Sequence, residues 1–366
     1  MSTLPNESKA AVFYRVGEPL VIERFPIPAL AGREVLVRIR CATLCGSDLH
    51  SYFGRRPTPV PGILGHEMIG EIVGIGPDGA TDYFGKRLAF GDRVTWSMVW
   101  SCGHCFFCRR GLGSKCERRR KFGHEAIEPG RRELFGGLAE YCHLPERTAI
   151  FRVPGSLSDA VASPANCATA TVAAVLRRAG EIAGQSIVVH GAGMLGHTAS
   201  AMATEAGARQ VIVLEPSPPR RESARAFGAT EVWDSSLPVE ETLAQVQART
   251  EDRGADVAIE LSGAPEAVEL GFRLLRPGGH LILVGSTFPS RPVPLSPEQI
   301  VRRMIQIVGV HNYEPEDLHA ALEFLSRTHD RFPFQGLIHP IFPLDAVNAA
   351  FNYAERERPS RVAVIP

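Results

Sequence analysis

The sequence predicts an α/β protein in two parts. An irregular β domain spans residues 1–160, and a doubly wound parallel sheet follows over 161–311. Three observations predict this. Short apolar segments punctuated by Gly and Pro fill roughly the first 155 residues, as in a small barrel. From about 165 the texture changes to alanine-rich helical stretches alternating with continuous apolar runs, the pattern of buried parallel strands and their crossover helices. Between one such run and the next helix stands a glycine turn, "GAGMLG".

Composition limits the function classes. The 366 residues allow two or three domains, and 44% hydrophobic with 22% charged residues is ordinary for a soluble globular protein. Lys+Arg and Asp+Glu balance at 40 each, so there is no electrostatic case for nucleic acid or an acidic membrane surface. The N-terminus "MSTLPNESKAAVFY" has no apolar signal region, and no run of about 18 apolar residues reads as a membrane span. The expected location is a reducing cytoplasm, where clustered cysteines favour metal over disulfides.

Taken in order, "AAVFY", "LVIERF" and "EVLVRIRC" read as strands within 9–41. "GILGHEMIGEIVGIG" (62–76) alternates apolar residues with glycine, as strands with tight corners do, and "GDRVTW" (91–96) continues the pattern. A distinct lobe follows over about 100–118. Cys102, Cys105, Cys108 and Cys116 are spaced C-x2-C-x2-C-x7-C, and Gly103, Gly111 and Gly113 supply turns. Four thiolates in short steps suit a closed tetrahedral zinc, with a redox CxxC or an iron–sulfur cluster as alternatives. A closed site has no open position, so the chemistry should lie elsewhere.

In the second part, "ANCATATVAAVLRRAG" (165–180) reads as a helix. "SIVVH", "GAGMLG", an alanine-rich helix and "QVIVLE" then form a βαβ unit. Gly191, Gly193, Met194, Leu195 and Gly196 make the candidate phosphate turn. Gly191 permits the turn, Gly193 lets a pyrophosphate approach the helix N-terminus, and Gly196 lets helix and strand pack closely. Glu215, ending the second strand, can hydrogen-bond adenosine ribose hydroxyls and would repel a 2′-phosphate, which favours NAD. Arg220 and Arg221 lie where an arginine can instead serve NADP. "EVW", "ADVAIEL", "HLILVG" and "QIVGV" are further strands; a helix near 315–327 and "RVAVIP" close the chain.

Two further stretches offer metal ligands. "CGSDLH" contains Cys45, Ser47, Asp48 and His50; "GHE" contains His66 and Glu67. A thiolate with an imidazole suits zinc. Cys167, at the start of its helix, is a candidate third ligand. Three protein ligands and an open position characterise catalytic zinc. "GHE" recurs at residues 123–125, and that copy is taken as incidental. Cys41 and Cys142 have no partners by spacing.

In their order and approximate spacing, "CGSDLH", "GHE", the four-cysteine lobe, the cysteine–threonine helix start and "GAGMLG" resemble the zinc-dependent alcohol dehydrogenases of the medium-chain dehydrogenase/reductase superfamily. A looser likeness is to a bacterial subgroup associated with phosphonate catabolism. The resemblance implies a GroES-like irregular β-barrel catalytic domain, completed by 312–366, and a Rossmann coenzyme domain. It implies two zinc ions, one on Cys45, His66 and Cys167, the other on the four-cysteine lobe. Glu67 would be a neighbouring or exchanging ligand, and Asp48 would orient the zinc-binding histidine. Ser47 would take the alcohol proton and His50 would pass it to solvent. Thr171 and Val172 would contact nicotinamide, and Arg361 the pyrophosphate. Asn166 before Cys167 departs from the usual context. The implied activity is reversible hydride transfer between a small alcohol and NAD, in a homodimer or homotetramer. Rival readings are an NADP-dependent carbonyl reductase, a zinc-free quinone or enone reductase, and a non-enzymatic zinc protein. Trp96, Met98, Trp100 and Phe135 are candidates for an apolar substrate pocket or for core. The run 118–121 reads as a solvated basic face, with an anionic substrate as the alternative.

Overall fold

The computed structural model describes residues 4–128 and 133–366. The chain forms two compact units. One comprises Met1–Cys167, Glu314–His329 and Phe334–Pro366; the other comprises Ala168–Tyr313 and Asp330–Pro333.

The first unit is built on a seven-stranded sheet. Its order is Ile150–Arg152, Arg93–Trp96, Glu67–Ile75, Val35–Leu44, Arg361–Ile365 and Ile338–Pro343, with Tyr141–Leu144 also pairing to Val35–Leu44. The central strand Val35–Leu44 turns Val35, Val37 and Ile39 into the core and Arg38 and Arg40 outward, the alternation of a half-buried strand. Its pairing with Glu67–Ile75 slips register twice, between Leu36 and Val37 and between Ile39 and Cys41, which bends the sheet. That register brings Thr43 opposite Glu67. Gly70 has to be glycine: a Cβ there would lie 2.2 Å from the Val37 side chain and 2.5 Å from the Arg38 carbonyl. Trp96, Phe122, Phe135, Met68 and Phe13 fill the core beneath. The continuous strand expected over 62–76 is broken. Gly65 takes φ +87°, so Gly62–Ile63 joins a separate three-stranded sheet and only Glu67–Ile75 stays in the large one.

The second unit holds a six-stranded, all-parallel sheet. Its order is Glu231–Trp233, Gln210–Leu214, Ser186–His190, Ala255–Glu260, Leu275–Leu283 and Gln306–Gly309. Ser186–His190 is buried at every position, as the continuous apolar run requires. The helix expected from 165 begins at Ala168. Ser163–Asn166 form a short 3₁₀ turn instead, with Cys167 at the junction. Among the described residues no helix is long and apolar enough to cross a membrane.

Candidate metal and cofactor sites

The cysteine lobe is built from two 3₁₀ turns, Cys108–Arg110 and Gly113–Lys115. They fold the four thiols together. Sγ–Sγ separations are 3.4 Å for Cys105–Cys108, 3.9 Å for Cys105–Cys116 and 3.5 Å for Cys102–Cys116. A tetrahedron with zinc–sulfur bonds of about 2.3 Å has edges of about 3.8 Å, so the donor set fits that ion. Backbone N–H groups of Cys102 and Arg118 both reach the Cys116 sulfur at 3.3 Å, the kind of support a thiolate needs. Amides of Cys108 and Glu117 draw the Cys105 thiol down to about 6. Glu314 anchors the lobe by accepting the Gly113 and Ser114 N–H groups at 2.9 and 3.1 Å.

A second cluster assembles from three segments of the first unit. Cys45 is the N-cap of helix Gly46–Tyr52. Asp48, on that helix, is fully buried and accepts the Cys45 N–H (3.0 Å), the Gly65 N–H (3.2 Å) and His66 Nδ1–H (3.1 Å). One carboxylate thus caps the helix, holds the Gly65 turn and sets the His66 ring so that Nε2 is left for another partner. The ligand atoms of Cys45, His66, Glu67 and Cys167 lie within 4.8 Å of one another. Burial opposes the charged form of His66, but Asp48 and Cys45 carry its pKa up to about 10. The hydrogen bond from Cys167 holds Cys45 well below the ordinary thiol range, and Cys167 rises correspondingly. Ser47 Oγ lies 3.4 Å from His66 Nε2.

Cys167 reaches the cluster through contacts the sequence reading did not assign. Asn166 donates to the carbonyls of His66 and Trp96, both at 3.1 Å. The Ser163 hydroxyl lies 3.4 Å from the Cys41 carbonyl and 3.3 Å from the Glu67 carbonyl, and its single hydrogen is shared between them. These bonds staple the 3₁₀ turn to the sheet, so Asn166, noted only as a departure, is what fixes the position of Cys167.

Glu67 is fully buried, and its carboxylate is tied to Arg361 by two bonds of 2.7 Å and to Thr43 by a third of 2.7 Å. Burial pushes its pKa up to about 7, against the pull of Arg361. Arg361 Nη2 also lies 3.6 Å from the Cys45 sulfur. The residue expected at a pyrophosphate is thus engaged with Glu67 and Cys45 of this cluster.

Two expectations change at the rim, and one left open is resolved. The 123–125 copy of "GHE" is not incidental: the His124 ring lies 4.7 Å from that of His66, centroid to centroid. Gly123, at φ +73°, packs so tightly that a Cβ would fall 2.6 Å from the Gly65 backbone. The basic run 118–121 is not one solvated face. Arg118 and Arg119 are exposed, but Arg120 and Lys121 are half-buried where they pair with Val99–Trp100, and Lys121 lies in the field of Cys167, Cys45 and Asp48. Trp96, Met98 and Phe135 are buried core side chains, and Trp100 donates its indole N–H to the Glu146 carbonyl.

The dinucleotide turn lies in the second unit. Gly191 takes φ +99°, and a Cβ on Gly196 would stand 1.9 Å from the Gly191 carbonyl oxygen. Gly193 is the N-cap of helix Met194–Glu205, whose first residues are Met194 and Leu195, and a Cβ on Gly193 would meet nothing within 4 Å. The turn therefore leaves open space at the helix N-terminus. Glu215 is buried and accepts the N–H groups of Ala192 (2.7 Å) and Ser217 (3.0 Å), which ties the strand end to the turn. Arg221 bonds the carbonyls of Glu215 and Pro216 and pairs with Asp234, so it is committed within the unit; Arg220 is partly buried beside it. Thr171 and Val172 are buried in helix Ala168–Ala179.

Comparison with known proteins bears on the family and the fold. Residues 31–155 match the model of the alcohol dehydrogenase GroES-like domain, and residues 195–327 match that of the zinc-binding dehydrogenases. The chain is 31% identical over 328 residues to 5-exo-hydroxycamphor dehydrogenase of Pseudomonas putida, covering 89% of each chain. It is also 31% identical to L-threonine 3-dehydrogenase of Shigella dysenteriae serotype 1, over 84% of this chain and 85% of that one. A solved alcohol dehydrogenase of Thermotoga maritima superposes with a TM-score of 0.92 at 29% identity, over 98% of this chain and 99% of that one. A zinc-binding dehydrogenase of Sinorhizobium meliloti, solved bound to NADP, superposes with a TM-score of 0.85 at 26% identity, over 99% and 100% of the two chains. With a GroES-like unit, a Rossmann-like parallel sheet and relatives matched along most of their length, the chain belongs to the zinc-binding alcohol dehydrogenase family of the medium-chain dehydrogenase/reductase superfamily and is an oxidoreductase.

Proposed function

We propose that the protein is a zinc-dependent, NAD-linked alcohol dehydrogenase, acting reversibly on a small alcohol and its aldehyde or ketone. One observation carries the reading: Cys45, His66, Glu67 and Cys167 converge within 4.8 Å, the soft donor set of a catalytic zinc, in a chain that also carries a dinucleotide turn. Cys45, His66 and Cys167 would hold that zinc, and the four-cysteine lobe a structural one. When bound, zinc supplies a Lewis acid for the substrate oxygen and NAD supplies the hydride acceptor.

The chain's own residues supply the rest. Asp48 fixes the His66 tautomer and orientation. Ser47, within reach of His66 Nε2, takes the substrate proton. His50 is held below its ordinary pKa by burial and by Arg55, so it is neutral near pH 7 and able to accept that proton and release it to solvent. Arg361 neutralises Glu67 beside the thiolates and is the candidate pyrophosphate contact. Thr171 and Val172 are candidate nicotinamide contacts. Glu215 favours NAD over NADP through repulsion of a 2′-phosphate. The enzyme would work in the cytoplasm as a homodimer or homotetramer. A zinc-free quinone or enone reductase would need none of the four clustered ligands.

Metal content per chain tests this. Wild type should carry two zincs, Cys45→Ser one zinc with activity lost and the fold kept, and Cys102→Ser should lose the other zinc together with stability. One zinc in the wild type, unchanged by Cys45→Ser, would overturn the catalytic assignment.

A further inference from the structure

We propose that Lys121, with Arg56 beside it, forms an oxyanion-binding subsite at the wall of the Cys45–His66–Cys167 pocket, so that the alcohol taken by this enzyme carries a carboxylate, phosphonate or phosphate group. The inference rests on the dehydrogenase reading and names its substrate class.

The argument begins with one tight turn. Lys121 pairs across to Val99, donates its N–H to Glu125 Oε1 at 2.8 Å, and accepts the His124 N–H on its carbonyl at 3.0 Å. The turn so formed is docked on the metal pocket, since Gly123 abuts the Gly65–His66 backbone and the His124 ring faces that of His66. Strand alternation separates the fates of two neighbouring cations. Arg120 pairs with Glu133 and covers the Phe135 ring. The Lys121 ammonium instead lies in the field of Cys167, Cys45 and Asp48, with Arg56 opposing it. Arg56 reaches the same place from the end of helix Gly46–Tyr52, its N–H bonded to the His50 carbonyl, and its charge also acts on His50 and His124.

Among the described residues, neither the Lys121 ammonium nor the Arg56 guanidinium makes a hydrogen bond or an ion pair. The acids nearby are already engaged. Asp48 serves His66 and two backbone amides, and Glu67 serves Arg361 and Thr43. The two thiolates of the cluster would be balanced by a divalent ion. Lys121 and Arg56 then remain as surplus positive charge in a partly dehydrated pocket, where burial presses the lysine pKa down. A half-buried cation without a partner has lost part of its hydration, and an anionic ligand can restore the counter-charge. The wall is polar in another respect. His124 Nδ1 bonds the Gly123 carbonyl at 2.7 Å, and Nε2 is left as a buried acceptor without a partner. An oxyanion on Lys121 and Arg56, with the hydroxyl carbon toward the cysteine–histidine cluster, gives a two-point fit that a simple alkanol lacks.

The test uses zinc-loaded enzyme and matched substrate pairs. These are 3-hydroxybutyrate against 3-hydroxybutyramide, and 2-hydroxyethylphosphonate against its dimethyl ester, with either nucleotide. The charged member should be preferred in kcat/KM by about 10–100-fold, the range of a charge-assisted hydrogen bond. Lys121→Met should collapse that ratio toward one, and Lys121→Arg should retain much of it. The better pair tells carboxylate from phosphonate. Equal rates for charged and neutral members, or a ratio that survives Lys121→Met, would overturn the inference. Calorimetric titration with butyrate and ethylphosphonate reads the subsite without turnover: binding weakened by Lys121→Met is expected, and no binding of either anion would overturn it. Anion binding through Lys121 with no oxidation of any alcohol would leave the subsite standing and sink the dehydrogenase reading.

Discussion

Replacing Arg361 with methionine should be among the most damaging single changes in the first unit. Arg361 is 5% exposed and Glu67 0%, and two N–H···O bonds of 2.7 Å join them. Methionine keeps most of the side-chain volume but leaves Glu67 buried beside the Cys45 sulfur with Thr43 its remaining donor, so its carboxyl must either stay charged without Arg361 or take up a proton and lose both charge-assisted bonds. Each charge-assisted hydrogen bond contributes about 1.5–3 kcal/mol, so two amount to about 3–6 kcal/mol. Breaking a buried pair from one side costs about 3–5 kcal/mol by an independent route, because an uncompensated charge stays behind. The expected loss is therefore about 4 kcal/mol, roughly a thousandfold in the folding equilibrium. With a slope near 3 kcal/mol per molar urea, the midpoint should fall by more than about 1 M. The assay is urea unfolding followed by tryptophan fluorescence at matched zinc content, with Trp96 and Trp100 reporting the first unit and Trp233 the second. The double variant Glu67→Gln/Arg361→Met should recover much of the loss, since it removes the stranded charge. A cost below about 1 kcal/mol, or strict additivity in the double-mutant cycle, would refute the claim that the pair is a coupled buried unit.

Three further outcomes follow from the second unit. Gly196→Ala would drive a Cβ to 1.9 Å from the Gly191 carbonyl, so it should cost about 1–3 kcal/mol or more and weaken NADH binding at least about tenfold, read by nucleotide fluorescence. Gly193→Ala meets nothing within 4 Å and should keep its stability while losing affinity, because the intruding methyl matters only when a pyrophosphate is present. His190 is 2% exposed and burial lowers its pKa to about 4, so the unfolded chain binds its proton first as pH falls. Stability should therefore decline from about pH 6.5 and bottom out near pH 4, with His190 accounting for about 3 kcal/mol; His190→Asn should flatten that stretch of the profile measured by urea midpoints.

Much of the molecule was legible because its signals are local. The Rossmann-like unit announced itself through the alternation of buried strands and helices, and through glycines whose roles are set by neighbours a few residues away. The cysteine lobe was legible for the same reason: four thiols within fifteen residues cannot avoid one another. Cys45, His66 and Cys167 were different. Their candidacy came from the order of motifs resembling a family, since their spacing alone forces no contact. Strand register and the Asn166-stapled turn are what bring them within one ligand radius.

Other parts of the site had no sequence signal of their own. Arg361 pairs with Glu67 across 294 positions, and nothing local in "PSRVAVIP" points to that partner. Lys121 looked like the end of a solvated charge run and His124 like a chance tripeptide. The sequence by itself determined the fold class, the clustering of the four cysteines and the glycine turn, because periodicity, turn chemistry and short-range spacing act between near neighbours. Only the tertiary structure decided which cations lie near the Cys45–His66–Cys167 cluster. That choice depends on how a two-residue strand pairs and on a glycine that lets one turn touch another, and such contacts are set by topology over distances no local pattern encodes.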